Sequence, residues 1–372
     1  MKLTAQAKLL PTDEQALALR DTLRIANEAC NFVSGWAWEN EVFGQWSLHR
    51  ACYREVRERF GLSAQVTVRV IAKVADAYKL DRETRRTFKP TGSIAYDERI
   101  LRWKLAQGVV SIWTVTGRQT IPFVCGDRQR GLLTTQQGET DLAFRDGCFY
   151  LFATCNVEAP EPEDTEDFLG VDLGIVNLAT DSDGTRYSGG HVNGLRHRHR
   201  RLRKRLQQKR TKSARRLLKR RKRKEARFAR DVNHCLSKRI VATAQDTRRG
   251  IALENLKHIR QRVTARKPQR ATLHSWSFAQ LGTFIQYKAE RAAVPVVFVD
   301  PRNTSRTCPD CGHIAKANRK SQSVFSCVSC GFSSGLADHI AAVNIRNVAR
   351  RGLVNGPHVS APLAGPGTSC RL

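Results

Sequence analysis

Long apolar runs and acidic side chains are both scarce in this chain of 372 residues. No apolar run approaches the ~18 residues that a membrane-spanning helix needs, and the N-terminus lacks the basic, apolar and small-residue order of a signal peptide. The phosphate-binding pattern Gly-x-x-x-x-Gly-Lys-Ser/Thr is also missing, which argues against the use of ATP. We therefore expect a cytoplasmic protein that has no membrane partner.

Acidic side chains are scarcest in the second half of the chain. Residues 168–372 hold 42 Lys and Arg against 11 Asp and Glu, whereas residues 1–167 hold 22 against 23. The formal net charge of +30 therefore lies in the second half. A polyanion such as a nucleic acid is the natural counterion of this surface, although a basic surface that only meets solvent is the alternative.

The densest basic stretch, residues 196–224, contains 18 Lys and Arg and no acid. Leu202, Leu206 and Leu217 keep an apolar stripe through it, which predicts two helices with a break near residues 211–213 rather than a disordered arm. So many like charges repel one another unless phosphates lie nearby. We expect phosphate contacts from Arg196, Arg200, Arg203, Lys204, Arg215, Arg216, Lys219 and Arg223.

Four of the 11 cysteines stand at the spacing of metal ligands. Cys308 and Cys311 form one Cys-x-x-Cys pair, Cys327 and Cys330 form a second, and 15 residues separate the pairs. This pattern predicts a structural Zn²⁺ ion in a ribbon. The other seven cysteines show no such pairing and read as buried apolar residues or free thiols.

Three carboxylates lie in apolar surroundings where an unpaired charge is costly. Asp172 stands in the middle of an apolar strand predicted at residues 168–174, Glu254 follows Ile251-Ala252-Leu253, and Asp338 stands at the start of an apolar helix. Each has a structural alternative, as a turn residue, a surface acid and a helix N-cap respectively. Three such acids in a strongly basic protein suggest Mg²⁺-dependent phosphodiester chemistry, because Mg²⁺ prefers hard oxygen ligands.

The predicted order of elements gives these acids a common frame. From residue 168 the chain reads as three strands, a long helical excursion, a strand, a helix, a strand, the ribbon and a final helix. This is the layout of a ribonuclease H-like α/β fold. Before it, a strand at residues 3–9 precedes a helical bundle at 12–82, whose helices we expect to begin at a capping box at 12–15 (TDEQ), at Ser47 and at Ser63. A β-rich stretch with an Asp146-Gly147 hairpin turn follows. In the second half, residues 181–184 read as a turn and 250–253 as a strand.

At these residues the chain resembles the TnpB (OrfB) family of insertion-sequence proteins, the RNA-guided nucleases related to type V CRISPR effectors. The resemblance is carried by 170–180 (GVDLGIVNLAT), 231–234 (DVNH), 253–256 (LENL), 287–289 (YKA), 299–301 (VDP) with Thr304 and Ser305, the four cysteines, and 337–345 (ADHIAAVNI). Many members have Asn two residues after the third acid, where this chain has Ile340. Since Ile cannot coordinate a metal, we expect no ligand at position 340.

The resemblance implies a multi-domain α/β protein with a RuvC-type nuclease domain, an inserted zinc ribbon, and an N-terminal β-barrel wedge that carries an inserted helical bundle. The expected domains are a wedge at 1–10 and 88–160, a helical recognition lobe at 11–87, an acidic linker at 161–167, a nuclease domain at 168–300 and 336–350, a ribbon at 301–335 and a flexible tail at 351–372.

The resemblance also implies an activity. Asp172, Glu254 and Asp338 would hold a pair of Mg²⁺ ions, for which Mn²⁺ can substitute, and the four cysteines would hold one Zn²⁺. The partners would be a guide RNA from the end of the element and double-stranded target DNA beside a short motif, in a prokaryotic cytosol. A monomer with one RNA is expected, with the oligomeric state left open. The alternatives are an RNA-independent transposase or resolvase of the same fold, and a nuclease-inactive RNA-guided regulator.

Overall fold

The chain divides after Glu158 into two units. We describe them from a computed structural model that covers residues 1–256, 278–321 and 323–355. In these residues no helix is long and apolar enough to cross a membrane.

The first unit, Met1–Glu158, combines three long helices with one antiparallel sheet. Its elements are β1 (Lys2–Leu9), α1 (Asp13–Glu39), α2 (Gln45–Phe60), α3 (Ala64–Leu80), β2 (Ile94–Tyr96), β3 (Leu101–Lys104), β4 (Val109–Thr114), β5 (Gly117–Val124), α4 (Asp127–Leu133), β6 (Gln136–Arg145) and β7 (Cys148–Asn156). The strand order is β2-β6-β7-β1-β5-β4-β3. Because the two edge strands, β2 and β3, follow each other directly along the chain, the sheet is nearly closed like a barrel.

Local sequence signals explain several boundaries in this unit. The Thr12 hydroxyl accepts the Gln15 amide while the Gln15 side chain accepts the Thr12 amide, so the predicted capping box begins α1. Ser63 caps α3 as expected, whereas α2 begins at Gln45, two residues before the predicted Ser47. The hairpin between β6 and β7 turns at Asp146 and Gly147, which both have positive φ.

The second unit, from Ala159 onward, is built on a mixed five-stranded sheet. Its described elements are β8 (Phe168–Asp172), β9 (Asn177–Asp181), β10 (Arg186–Ser188), α5 (Gly190–Lys209), α6 (Lys212–Asp246), β11 (Gly250–Glu254), α7 (Phe278–Arg291), β12 (Val296–Val299), β13 (Phe325–Ser326), β14 (Ser333–Ser334) and α8 (Ala337–Asn355). The strand order is β10-β9-β8-β11-β12, with β8, β11 and β12 parallel and the first three strands antiparallel. The order of these elements along the chain is the one predicted from the sequence.

The two faces of this sheet bury different clusters. Leu169 and Val171 of β8 pack in a large core with residues of α6 and α7, whereas Phe168 packs with Ile345 and Ala349 of α8. Because side chains alternate along a strand, the side chain of Asp172 belongs to the α8 face.

Two predicted segment boundaries need correction or comment. Helix α8 continues to Asn355, so the first five residues of the predicted tail, 351–372, are helical, and the rest lie outside the described residues. The predicted linker, 161–167, has no regular element, but Asp167 is not a free surface acid because its carboxylate pairs with Arg346.

Candidate active site and metal centre

The structure brings the three predicted acids to one end of the second sheet. Leu253 of β11 lies beside Val171 of β8, so the next residues, Glu254 and Asp172, end two adjacent parallel strands. Asp338 is the second residue of α8, which packs against β8. Glu254 and Asp338 both lie close enough to Asp172 for their negative charges to raise the pKa of its carboxyl group.

Gly170 allows α8 to approach this closely. A Cβ atom at residue 170 would lie 2.1 Å from the carbonyl oxygen of Ala342 and 2.7 Å from the amide nitrogen of Arg346, both on α8. Both atoms are backbone, so neither could move without shifting the helix. The glycine of the GVD stretch therefore sets the position of Asp338 relative to Asp172.

Three polar side chains orient the carboxylates. Asn177 donates from Nδ2 to Oδ2 of Asp338 at 3.1 Å, and Arg319 donates from Nη2 to Oδ1 of Asp338 at 2.8 Å. The Thr304 hydroxyl donates to Oε1 of Glu254. Sequence reasoning missed all three contacts. Asn177 and Thr304 lay within the family-like stretches, but no local rule pairs them with acids that are 161 and 50 residues away.

Burial makes the site costly for negative charge. It raises the pKa of Asp172 to about 8, with Glu254 and Asp338 adding to the effect and Arg319 opposing it. Burial also raises the pKa of Glu254, against the hydrogen bond from Thr304 and the charge of Arg319. A cation at this site would favour the ionised forms of both acids.

The three acids offer the type of ligand that Mg²⁺ prefers, although their carboxylate oxygens do not all lie within 4.8 Å of one another. All three acids offer hard oxygen ligands. The hydroxyl of Thr180, directly opposite Asp172 in the β8–β9 pair, is buried and has no hydrogen-bond partner among the described residues. Within the described residues, however, the one group of three or more candidate ligands that lie within 4.8 Å of one another is made of cysteines. Repulsion between carboxylates is the physical reason to expect a looser acid cluster.

That cysteine group is the predicted ribbon. The sulfur atoms of Cys308, Cys311, Cys327 and Cys330 all lie within 4.8 Å of one another, with 3.6 Å between Cys308 and Cys330 and between Cys311 and Cys327. These separations suit four thiolates around a tetrahedral metal such as Zn²⁺. Amide groups of Cys330 and Ser329 donate to Cys327 and lower the pKa of its thiol to about 6. Gly312 and Gly331 have φ of 74° and 76°, the left-handed backbone that each knuckle turn requires.

Ile340 packs on the ribbon rather than facing the acids as a ligand. It is 4% exposed and belongs to a cluster with Cys308, Phe325 and Cys327. The hydrophobic residue at this position therefore joins α8 to the ribbon.

The predicted phosphate contacts lie on the helical pair α5 and α6. Thr211 caps α6 directly after α5 ends, as the break predicted near 211–213 requires. Arg196 differs from the others because it is half-buried, and burial lowers its pKa against the attraction of Glu225. Arg203 also pairs with Glu225, at 3.2 Å. The side chain of Arg223 lies outside the described residues, and the rest are exposed: Arg200, Arg203, Lys204, Arg215, Arg216 and Lys219.

Comparison with protein families confirms the resemblance to TnpB proteins. Residues 152–259 match the OrfB IS605 family, described as a probable transposase, and residues 278–345 match the Cas12f1-like TNB domain. The two matched segments contain Asp172, Glu254, Asp338 and the four cysteines.

Curated relatives match part of the chain. Over 123 residues it is 38% identical to the CRISPR-associated endodeoxyribonuclease Cas12f1 of Sulfoacidibacillus thermotolerans, which is 33% of this chain and 28% of that protein. Over 108 residues it is 34% identical to the TnpB-like protein MJ0751 of Methanocaldococcus jannaschii, which is 29% of this chain and 38% of that protein. The matched regions thus span well under half of each relative.

Solved structures share the fold along most of the chain. The Cas12f1–sgRNA–target DNA complex matches with a TM-score of 0.61 at 17% identity, covering 90% of this chain and 83% of that one. The mini-RNA-guided endonuclease CRISPR-Cas phi3 matches with a TM-score of 0.55 at 11% identity, covering 94% and 92%. At these identities the likeness establishes an α/β architecture in common.

Proposed function

We propose, taking as premise the relationship of this chain to the TnpB (OrfB) and Cas12f proteins, that it is an RNA-guided, Mg²⁺-dependent DNA endonuclease of a transposable element. One observation carries the proposal. Asp172, Glu254 and Asp338, which come from three separate stretches of sequence, gather at one end of a ribonuclease H-like sheet. A stability role does not explain three clustered acids of which two have raised pKa values.

Each residue of the centre has a distinct task in this proposal. Mg²⁺ held by the three acids would supply an activated water and stabilise the attacking and leaving oxygens of a phosphodiester. Asp172 and Glu254 present carboxylate oxygens from adjacent strand ends, and Asn177 and Arg319 orient Asp338 from both of its oxygens. The positive charge of Arg319 would also stabilise the negative charge of a scissile phosphate bound beside these acids.

The proposed partners follow from charge and from the relatives. One structural neighbour is a Cas12f1 complex with an sgRNA and target DNA, and we transfer both kinds of partner to this chain. The exposed cations of α5 and α6 would hold nucleic-acid phosphates, and base pairing with the guide would select the sequence. The first unit would read the short adjacent motif, and the four-cysteine ribbon would hold one structural Zn²⁺.

The test begins with sequencing of RNA that co-purifies with the full chain. A target duplex that matches the guide is then incubated with Mg²⁺ and with the wild-type chain or Asp172→Ala. We expect cleavage by the wild type alone, with RNA retained by both proteins. Full Mg²⁺-dependent activity of Asp172→Ala would refute the assignment of the catalytic acids.

The match to a probable transposase family favours a second candidate, an RNA-independent transposase or resolvase. RNA-free protein that joins or resolves element ends would support it. A nuclease-inactive regulator is disfavoured because all three acids are present and face one site. Tight guide-dependent DNA binding without nicking, in Mg²⁺ or Mn²⁺, would restore that alternative.

A further inference from the structure

Thr304 holds the glutamate of the candidate centre from a loop outside the sheet. Its hydroxyl oxygen lies 2.5 Å from Oε1 of Glu254 and 3.1 Å from the carbonyl oxygen of Pro301. A hydroxyl has one proton to donate. The shorter distance and the charge of the carboxylate assign that proton to Glu254.

Thr304 is itself fixed by the last helix. Asn344 of α8 is 4% exposed, and its Nδ2 donates to the carbonyl oxygens of Thr304 at 2.7 Å and Thr307 at 2.8 Å. A side-chain amide has two N–H groups, so these hydrogen bonds use both. Asn344 therefore clamps the loop that leads from β12 into the ribbon, on the same helix that carries Asp338.

The clamp leaves Glu254 with little rotational freedom. Thr304 is 4% exposed, so its hydroxyl is shielded from water. A fixed donor on Oε1 directs the carboxylate plane and leaves Oε2 as the freer ligand atom. Partners that orient metal-ligating carboxylates in this way typically contribute about 10- to 100-fold to metal affinity or activity.

We infer that Thr304 is a positioning residue for the nuclease reaction, which orients Glu254 for metal binding and is in turn held by Asn344. The inference rests on the proposed function, because it assumes that Glu254 binds Mg²⁺. It assigns a role in the chemistry to the loop between β12 and the ribbon. Helix α8 then positions two of the acids, Asp338 directly and Glu254 through Asn344 and Thr304.

The test compares Thr304→Val, Thr304→Ser and Thr307→Val in the full chain. Val removes the hydroxyl at nearly constant shape, and Ser retains it. Thr307 is a matched control because its hydroxyl donates to the carbonyl oxygen of Asn303, whereas Asn344 holds it through its backbone carbonyl, which the substitution keeps. One readout is the Mg²⁺ concentration that gives half-maximal cleavage by the RNA-loaded protein. A second is Mn²⁺ binding to the RNA-free chain with Asp172 intact, measured by electron paramagnetic resonance, with Asp172→Ala as the separate reference for binding outside the site.

We expect Thr304→Val to raise the half-maximal Mg²⁺ concentration about 10- to 100-fold and to weaken Mn²⁺ binding by a similar factor. Thr304→Ser should stay within about threefold of the wild type, as should Thr307→Val. Wild-type metal requirements in Thr304→Val would overturn the inference, and so would a failure of Ser to rescue. Cleavage that survives in Asp172→Ala would instead refute the proposed function, so the two failures are distinguishable.

Discussion

Asp172 is the residue at which stability and chemistry conflict most. Its carboxyl is buried beside two other acids, and the hydroxyl of Thr180 opposite to it has no partner among the described residues. A buried charge without full compensation destabilises a fold, so such a site persists only when function requires it. The conflict predicts a measurable gain in stability when the acid is neutralised.

We predict that Asp172→Asn stabilises the metal-free chain at pH 7–8 by on the order of 1–3 kcal/mol while it abolishes cleavage. The folded-state pKa of Asp172 is raised to about 8 from the usual 3.8. Between these values the native state binds the proton and the unfolded state does not, so stability falls as the pH rises from about 4 to about 8. Thermal unfolding without added Mg²⁺ or Mn²⁺, and without a chelator that would strip the ribbon, should show the fall in the wild type across this range and a flatter curve in Asp172→Asn.

Asp183→Asn provides a control of opposite sign. Arg249 holds the pKa of Asp183 below its usual range, so its contribution to stability is present above the unfolded pKa and is lost as the pH falls through the folded pKa. Neutralising it should destabilise the chain at pH 7. Equal shifts from both substitutions would mean that burial of the three acids does not control stability.

Residues with a local signal could be identified from the sequence, and residues that act through distant contacts could not. The cysteine spacing, the capping box at Thr12 and the acids in apolar surroundings can each be recognised from a few residues that are adjacent in sequence. Asn177, Thr304 and Arg319 gain their roles from contacts made after the chain has folded. Their side-chain types are common on any surface, so composition and spacing give no reason to select them.

At the level of elements, the ribbon and the loop that leads into it supply side chains that contact two of the three acids. The ribbon supplies Arg319 to Asp338, and Thr304 reaches Glu254 from the loop that enters it. Its small apolar cluster includes Ala337 and Ile340, which flank Asp338 on α8. A metal bound by the four cysteines should therefore also maintain the carboxylate cluster.

We predict that Cys327→Ser lowers bound zinc well below one equivalent per chain and reduces cleavage at least ~10-fold, although all three acids remain. Zinc binding contributes folding free energy, on the order of 10–16 kcal/mol in small fingers, so removal of a ligand should loosen the whole ribbon. Elemental analysis and guide-dependent cleavage measure the two effects. Cys235→Ser is the matched control, since Cys235 is exposed on α6 and outside the cluster. Full cleavage by a zinc-free protein would show that the activity of the nuclease centre does not depend on metal binding by the ribbon.

The elements themselves follow the sequence closely where patterns are strong. The turn at 181–184, the strand at Gly250–Glu254 and the break between α5 and α6 fall where predicted. Helix α8 extends to Asn355, beyond the predicted start of the tail at residue 351, because a Gly/Pro/Ser-rich composition does not mark the residue at which the preceding helix ends. The start of α2 was also missed, since Gly44 offers no side-chain cap to mark it.

On the scale of the whole molecule, the two units differ in charge as well as in fold. Residues 1–167 are nearly neutral, and the excess of Lys and Arg lies beyond residue 167. The sequence predicts this asymmetry directly, because charge is additive. It does not show that Arg196 is half-buried near Glu225 and therefore poorly placed to meet a phosphate. Only the folded arrangement separates cations that serve the fold from those that remain exposed.

The exposed cations of α5 and α6 should set the salt dependence of nucleic-acid binding. We predict that the substitution of Gln for four of them makes log affinity fall less steeply with log salt: Arg200, Lys204, Arg215 and Lys219. The magnitude of the negative slope should decrease by up to ~0.9 for each phosphate of duplex DNA that is no longer neutralised. Binding would be measured in the Asp172→Ala background, so that cleavage does not interfere. Arg24→Gln with Lys79→Gln is the control, because these cations of the first unit are paired with Glu28 and Asp76.

The same measurement separates the surface of α5 and α6 from the overall charge of the protein. A slope that changes equally per charge in both sets of variants would mean that net charge alone governs the affinity. A smaller effect from Arg196→Gln than from Arg200→Gln would support the division between buried and exposed cations, because the half-buried Arg196 lies near Glu225. An effect of equal size would instead mean that Arg196 reaches a phosphate when nucleic acid binds.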